Sequence, residues 1–536
     1  MDTTGLDEYL LSASEALNRY ECHRNAATTL LQIAESAKQP FNLAVVGRMK
    51  AGKSTLINAL IRRPLAICDV EEATATLNRI CYGEGAQTQQ FVVQWRDGRT
   101  EPFPLSELSR WTGKSPEVLA QTRETSFLRL YADSPKLAET QIVDTPGTGS
   151  AVEEHEVTRN FLSPETIAES IAEGGKADAI VYVILPAGRE SDEETLQIFA
   201  SGRLPHSDPY NSVAVLHKWD GLDVDNPKKR AGEKSRRLLD DLGPMVADVI
   251  PVSGPLALAA WCASDQFFTE LVSILIKDSD SIERALKMPE RWSADPARQS
   301  VRELYSMPWA SFRLLVRTLQ RDSVSDPQAA RECCLEESGI LSFEEFLQKR
   351  FFSQASIIKQ CQILQRVASV IEPALRRLYD EARGHDRDTK YAERAAGILK
   401  DQSTELSSWL QQKANVYREK SVALQTTAID LDRQWQKHRS DLEMLQMDLK
   451  VSQAIKETPD VFPAGHRDSL RAINNHLAGI QRRSDLGRGK IVPIHEIEDL
   501  IKYYRTQENL CRNRDRPLFE HIVKRLEQIH QILSEG

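Results

Sequence analysis

Between residues 5 and 36, apolar positions return with helical period (Leu10, Leu11, Ala13, Leu17, Leu30, Leu31, Ile33, Ala34), so the segment reads as helix. From 41 to 260 the pattern changes. Short β-rich runs at 41–47, 78–83, 90–95, 126–132, 140–147, 179–185, 212–218 and 247–253 are separated by helical stretches. That rhythm predicts βαβ units and a mostly parallel sheet with helices on both faces. After about 265 the β signal ends. From 398 to 458 there is neither Gly nor Pro, and Leu399, Leu406, Trp409, Leu410, Leu424, Leu431, Trp435, Leu442, Leu445 and Leu449 recur at three- and four-residue steps. One helix of roughly 60 residues would reach about 90 Å. A second helical segment starts near 467, with breaks near 487–493 and at Pro517. The expected form is a stalk folded back on itself as a helical bundle. A parallel homodimeric coiled coil is the alternative, but Lys413 and Lys420 interrupt its seam.

These shifts divide the chain into an N-terminal helix (1–40) packing with a helical neck, an α/β domain (41–285), the neck itself (286–380) and a helical stalk (381–536). At 536 residues, more than one core is expected. No apolar run approaches the length of a spanning helix, and the N-terminus lacks the pattern of a signal peptide. The eight cysteines form no C-x-x-C pair and show no metal-ligand spacing with histidine, so reduced thiols in a cytoplasm are expected. A redox role for adjacent Cys333 and Cys334 is not expected. The net charge of -9 argues against nucleic acid as a partner.

Chemistry concentrates where the first β run meets a helix. Gly47, Arg48, Met49, Lys50, Ala51, Gly52, Lys53 and Ser54 fit G-x-x-x-x-G-K-[ST], followed by Thr55. Two glycines let backbone N–H groups turn inward toward phosphate oxygens at a helix N-terminus. Lys53 is placed for the β- and γ-phosphates, and the Ser54 hydroxyl for Mg²⁺. A phosphate loop does not choose the base. Asp144, ending a β run, can hold a Mg²⁺-bound water, and Gly147 three residues later can offer its N–H to the γ-phosphate. Lys218 and Asp220 end another run. A carboxylate there accepts both N–H donors of guanine's Watson–Crick edge, whereas adenine would leave it unpaired. Ser253 and Gly254 close a further run. In this order, each at a strand's C-terminal end, these elements point to guanine nucleotide, GTP and GDP with Mg²⁺.

The chain resembles the bacterial dynamin-like GTPases, large GTPases of the dynamin superfamily. The resemblance rests on Met49-Lys50 ahead of the second glycine, on Thr74 eight residues before Tyr82 (Thr76 is the near alternative), on the run from Asp178 into an acidic helix start, and on the segment from Ser338 to Phe351. It covers roughly residues 5–370. It implies GTP hydrolysis, Thr74 as the switch threonine ligating Mg²⁺ beside Ser54 and Asp144, and dimerisation through the nucleotide face. It also implies a helical stalk that moves with the nucleotide cycle at a membrane. A homodimer or higher oligomer, a second dynamin-like protein and a lipid surface are the partners it suggests. The location would be cytoplasmic, at the inner face of the membrane.

The chain departs from the pattern at several points. His217 stands where Asn or Thr usually begins the guanine motif, which should weaken its bracing of the phosphate loop. No glutamine follows Gly147 to orient water. Related guanylate-binding proteins carry an arginine at the Lys50 position, so Lys50 is either a catalytic cation or a solvated loop lysine. Tip candidates at 457–466 and 482–494 mix basic and apolar residues near helix breaks. The missing glutamine leaves a second function open, a GTP-gated scaffold that recruits a protein partner with negligible hydrolysis.

Overall fold

The computed structural model describes residues 4–47, 50–66, 78–111, 124–138, 140–144, 177–186, 210–222, 226–242, 246–277, 279–400, 403–457, 462, 466, 470, 494–510 and 516–534. The chain forms two compact units, one comprising Pro40–Ala355 and the other Met1–Gln39 with Ser356–Gly536.

The first unit is built on a nine-stranded sheet of order β4-β3-β5-β2-β6-β1-β7-β8-β9. The strands are β1 (Phe41–Gly47), β2 (Asn78–Tyr82), β3 (Gln90–Trp95), β4 (Thr100–Pro104), β5 (Thr125–Ala132), β6 (Thr140–Asp144), β7 (Ala179–Ile184), β8 (Ser212–His217) and β9 (Val249–Val252). Five of the eight pairings are parallel, and β6, β1, β7, β8 and β9 all run the same way. Strands β1, β7 and β8 are buried along their whole length, which is why they read as continuous apolar runs. The parallel half is therefore as expected. The other half is mixed, with β2 antiparallel to β6, and β3 antiparallel to both of its neighbours. Edge strand β4, with Pro102 and Pro104, carried no strand signal. Proline cannot donate to a ladder and is tolerated at an edge.

Helices α1 (Thr4–Asn18) and α2 (Arg24–Ala37) precede the sheet, and α3 (Lys53–Ile61) follows β1. After β8 come α4 (Pro227–Leu242) and, beyond β9, α5 (Gly254–Cys262), α6 (Asp265–Lys277), α7 (Ser279–Ala285), α8 (Pro289–Ser293), α9 (Pro296–Leu304), α10 (Trp309–Arg321), α11 (Pro327–Glu337) and α12 (Ile340–Arg350). One core takes in sheet residues Val46, Tyr182 and Leu216 together with Trp292, Val301, Phe312 and Cys334. Residues from Leu286 to Leu335, expected as neck, share this core, and the compact unit runs to Ala355 rather than ending at 285. Arg331 fastens α11 to the end of α5 through the carbonyls of Ala260 (2.7 Å) and Ala263 (3.0 Å). Cys334 is fully buried and burial pushes its thiol far up, which makes it inert.

The second unit is helical. Helix α13 (Ala355–Leu399) passes through the expected boundary at 380 without a break, although it contains Pro373. Helix α14 (Thr404–Glu457) is a single run of 54 residues, roughly 80 Å long. The two lie side by side, with Ser421 Oγ donating to Ala382 O at 2.9 Å and Arg418 paired with Glu393. Tyr9 of α1 stacks on Trp435 of α14. Helices α15 (Ile494–Leu510) and α16 (Arg516–Ser534) complete the bundle, where buried Asp448 of α14 accepts from Arg525 and pairs with His521. The folded-back stalk expected from the leucine pattern is what forms.

Candidate nucleotide site

The site is assembled at the C-terminal ends of β1, β6 and β8. Strand β1 delivers Gly47, and α3 begins at Lys53 with Gly52 as its N-cap in the left-handed region (φ 98°). No side chain caps this end, so its first N–H groups face the loop unclaimed by side chains, which suits an anion. Lys53 is buried, and its ammonium reaches the Gly47 carbonyl at 3.2 Å. Burial holds its pKa below the lysine range, with Asp144 partly offsetting. Phosphate oxygens would restore the charge that burial disfavours.

Asp144 ends β6 fully buried. The Ser54 hydroxyl donates to its Oδ2 at 3.1 Å, while Oδ1 has no hydrogen-bond partner among the described residues. Burial pushes the carboxyl up to about 6, against the opposing pull of Lys53 and Ser54. A buried carboxylate oxygen left without a partner, beside a hydroxyl, is the donor set of a hard divalent cation, so these residues fit Mg²⁺. Arg48, Met49, Thr74, Thr76 and Gly147 lie outside the described residues.

The end of β8 grips the loop from below. His217 is fully buried, and its Nε2 accepts the Gly254 N–H at 3.2 Å. A Cβ at residue 52 would come within 2.3 Å of the same ring, and one at residue 254 within 2.7 Å. Glycine at both positions is what leaves room for an imidazole. Burial lowers the His217 pKa to about 3, helped by Lys218 and opposed by the Ala51 backbone, so the ring is neutral and Nε2 is free to accept. The expected loss of bracing is therefore not what the geometry shows: a larger ring fills the space between two glycines and touches both loops.

Lys218 (φ 57°) and Lys50 (φ 63°) both adopt the left-handed conformation. The Lys218 ammonium donates to the Lys50 carbonyl at 2.7 Å, which fixes the crest of the phosphate loop. The Lys50 residue itself is exposed.

Asp220 lies in the short turn Trp219–Gly221 and is buried. Its carboxyl is raised by burial, offset first by a hydrogen bond from Ser311 and then by the surrounding donors, including Ser253. Ser311 belongs to α10, beyond the expected end of the nucleotide-binding domain. The Ser253 N–H donates to the Ser338 carbonyl at 2.8 Å, which ties the base-side loop to the turn between α11 and α12. Ser311 has no local motif that would mark it, and the segment that Ser338 opens gives no sign of a role at the base. Both are reached only through the tertiary packing of helices that follow the sheet.

In the helical unit, Phe462, the bulky apolar residue of the first tip candidate, is buried against Tyr504 and Phe519. It is a core residue because neighbouring aromatics cover it. The second candidate lies outside the described residues apart from Ile494. Several exposed apolar side chains of this unit stand near the junction of α13 and α14, while others such as Leu11, Leu31, Val422 and Ile429 lie away from it. Ile398 is 67%, Leu406 44% and Trp409 52% exposed, with Lys413 5.5 Å from the Trp409 ring and Lys400 exposed close by in sequence. Among the described residues, no helix is long and apolar enough to cross a membrane.

The isoniazid-induced protein IniC of Mycobacterium tuberculosis is 28% identical over 269 residues, covering 49% of this chain and 52% of the relative. Dynamin-like protein 2 of Campylobacter jejuni is 24% identical over 220 residues, covering 41% of this chain and 31% of the relative. The chain thus spans about half the length of IniC, 52%. A solved chain from an oligomerised bacterial dynamin pair, which provides a mechanism for long-range sensing and tethering of membranes, aligns over 96% of this chain and 87% of its own length at 13% identity and a TM-score of 0.33. Residues 43–218, from β1 through the end of β8, match the dynamin family. Over that segment the chain is similar to the dynamin family.

Proposed function

We propose that the chain binds GTP and GDP with Mg²⁺, hydrolyses GTP, and dimerises through its nucleotide face to drive movement of its helical stalk in membrane association or remodelling. The observation that carries this reading is the convergence of Lys53, Ser54 and Asp144 at one end of the sheet with buried Asp220 at the end of β8. Gly47 to Thr55 cradle the phosphates, with Gly147 at the γ-phosphate. Asp220, flanked by Lys218, Ser253 and Gly254, reads the guanine edge. Ser54 and Asp144, with Thr74, would hold Mg²⁺, which when bound neutralises charge on the β- and γ-phosphate oxygens.

Lys53 supplies the fixed cation of the loop. Lys50, exposed on a crest held by Lys218, is available to a facing subunit that presses it toward the γ-phosphate and excludes water. The exposed Ile398, Leu406 and Trp409 beside Lys400 and Lys413 have the chemistry of a surface that meets anionic lipid. On this reading the working protein sits in the cytoplasm, peripheral to the membrane, as a homodimer or with a second dynamin-like protein.

The test is GTP turnover per subunit against protein concentration, with and without anionic vesicles. Turnover that climbs with concentration supports a dimer-dependent GTPase. Tight GTP binding with no turnover at any concentration or vesicle content would favour the GTP-gated scaffold instead.

A further inference from the structure

The cysteines show no metal-ligand spacing with histidine along the chain, yet the fold brings a cysteine, a histidine and a glutamate together in the helical unit. Cys22 and His23 occupy the single helical turn Glu21–His23 between α1 and α2. Glu381, far away in sequence on α13, comes against both. Cys22 Sγ lies 3.2 and 3.6 Å from its two carboxylate oxygens, and His23 Nε2 lies 3.7 Å from Oε1. The three donor atoms all fall within 4.8 Å of one another.

Two features separate this group from an ordinary surface cluster. The His23 side chain is only 1% exposed, and its Nε2 is buried with no hydrogen-bond partner among the described residues, aimed at the thiol and the carboxylate. A buried ring nitrogen without a hydrogen bond is a group that a metal occupant would satisfy. The separations of Cys22 and His23 from Glu381 are also close to those of a coordination sphere. Bonds of about 2.3 Å to sulfur and about 2.0–2.1 Å to nitrogen and oxygen, at tetrahedral angles, place donor atoms roughly 3.3–3.6 Å apart.

We propose that Cys22, His23 and Glu381 form a Zn²⁺ site that pins the turn between the first two helices to α13. One sulfur, one nitrogen and one oxygen suit a borderline-soft tetrahedral ion and discriminate against Mg²⁺ and Ca²⁺, which take all-oxygen ligand sets. Binding converts the Cys22 thiol, now donating to Glu381, into a thiolate bonded to the metal, and its proton leaves to solvent. Neutral His23 gives its Nε2 lone pair, Glu381 one oxygen, and a water completes the tetrahedron. Exposed Cys22 gives the ion a way in. Arg377, one turn ahead of Glu381, acts on both Cys22 and His23 and opposes the incoming charge, so Arg377→Ala should tighten binding.

The test uses Co²⁺ as the spectroscopic probe on chelator-treated full-length protein, in excess Mg²⁺ to fill oxygen-only sites. One Co²⁺ per chain should produce tetrahedral d–d bands and a thiolate charge-transfer band, both erased by stoichiometric Zn²⁺. Cys22→Ser, at an exposed position, should abolish the charge-transfer band while the far-ultraviolet circular dichroism is unchanged. Glu381→Gln should weaken binding at least about tenfold. Zn²⁺ should raise the melting temperature of the wild type and leave that of Cys22→Ser unmoved. Absence of the charge-transfer band, or a band that survives Cys22→Ser, overturns the site.

Discussion

The hydroxyl of Ser311, on a helix that begins well beyond the last strand of the sheet, donates to the carboxylate of Asp220. The residue proposed to read the base is thus held by an element that no nucleotide motif contains. Burial raises the Asp220 pKa and the Ser311 hydrogen bond is the first influence that opposes it. Ser311→Ala should therefore weaken GTP binding by roughly tenfold, in line with a lost hydrogen bond to a charged group of about 1.5–3 kcal/mol. Only ionised Asp220 accepts from guanine, so affinity falls as pH drops through its pKa. Removing Ser311 raises that pKa and should move the acid limb of a GDP titration toward neutral pH. An unshifted limb would mean that Ser311 serves packing alone.

His217 offers a sharper test of the loop. Its neutral ring holds the Gly254 N–H and fills the space that a Cβ at residue 52 or 254 would take. Gly254→Ala should push the ring against Gly52 and lower nucleotide affinity, and His217→Ala should do the same by leaving a cavity and an unsatisfied N–H. His217→Asn should recover part of the loss. Because burial lowers the pKa to about 3, no histidine limb should appear near neutral pH in the binding profile.

Asp144 predicts a stability change of known sign. Its folded pKa, about 6, lies above the ordinary aspartate value of 3.8. The nucleotide-free folded state therefore holds a proton that the unfolded state has released between these values, and stability falls as pH rises through that window. Asp144→Asn removes this dependence. Its stability relative to wild type should grow by roughly 2 kcal/mol from about pH 4.5 to about pH 7.5, measured by chemical denaturation. The same substitution should abolish Mg²⁺-dependent turnover.

The contribution of Lys50 is read from turnover. A lone subunit without a water-positioning glutamine should be slow, on the order of 10⁻⁴ to 10⁻³ per second, and an added cation can contribute about 10³-fold or more. Lys50→Ala should flatten the rise of specific activity with protein concentration while nucleotide affinity changes little. A rise that survives the substitution would discharge Lys50 and turn attention to Arg48.

What the sequence made legible is what is local. The loop from Gly47 to Ser54 is contiguous, and its strand and helix carry their own periodicity, so its form could be read directly. Asp144, Lys218 and Asp220 could be read because each stands at or just past the end of a β-rich run. Strand β4 was hidden by its prolines, and the mixed half of the sheet by the fact that strand direction leaves no mark on composition. Ser311, Ser338 and Glu381 act through partners far along the chain, and a single serine or glutamate has no signature until packing brings it home. His217 was visible as a residue and misleading as a role. Its effect depends on two glycines, one before it in the chain and one after.

The most direct test is competitive binding of guanine, adenine and xanthine nucleotides to the wild type and to Asp220→Asn, with Lys53→Ala and Ser54→Asn as controls that should lose phosphate and Mg²⁺ contacts. The account predicts that the wild type prefers GTP over ATP by on the order of a hundredfold or more, the scale of an unpaired buried carboxylate. It also predicts that Asp220→Asn turns that preference toward xanthine nucleotides, whose carbonyl accepts where the guanine amino group donated. Equal wild-type affinity for ATP and GTP, or an unchanged preference in Asp220→Asn, would contradict it.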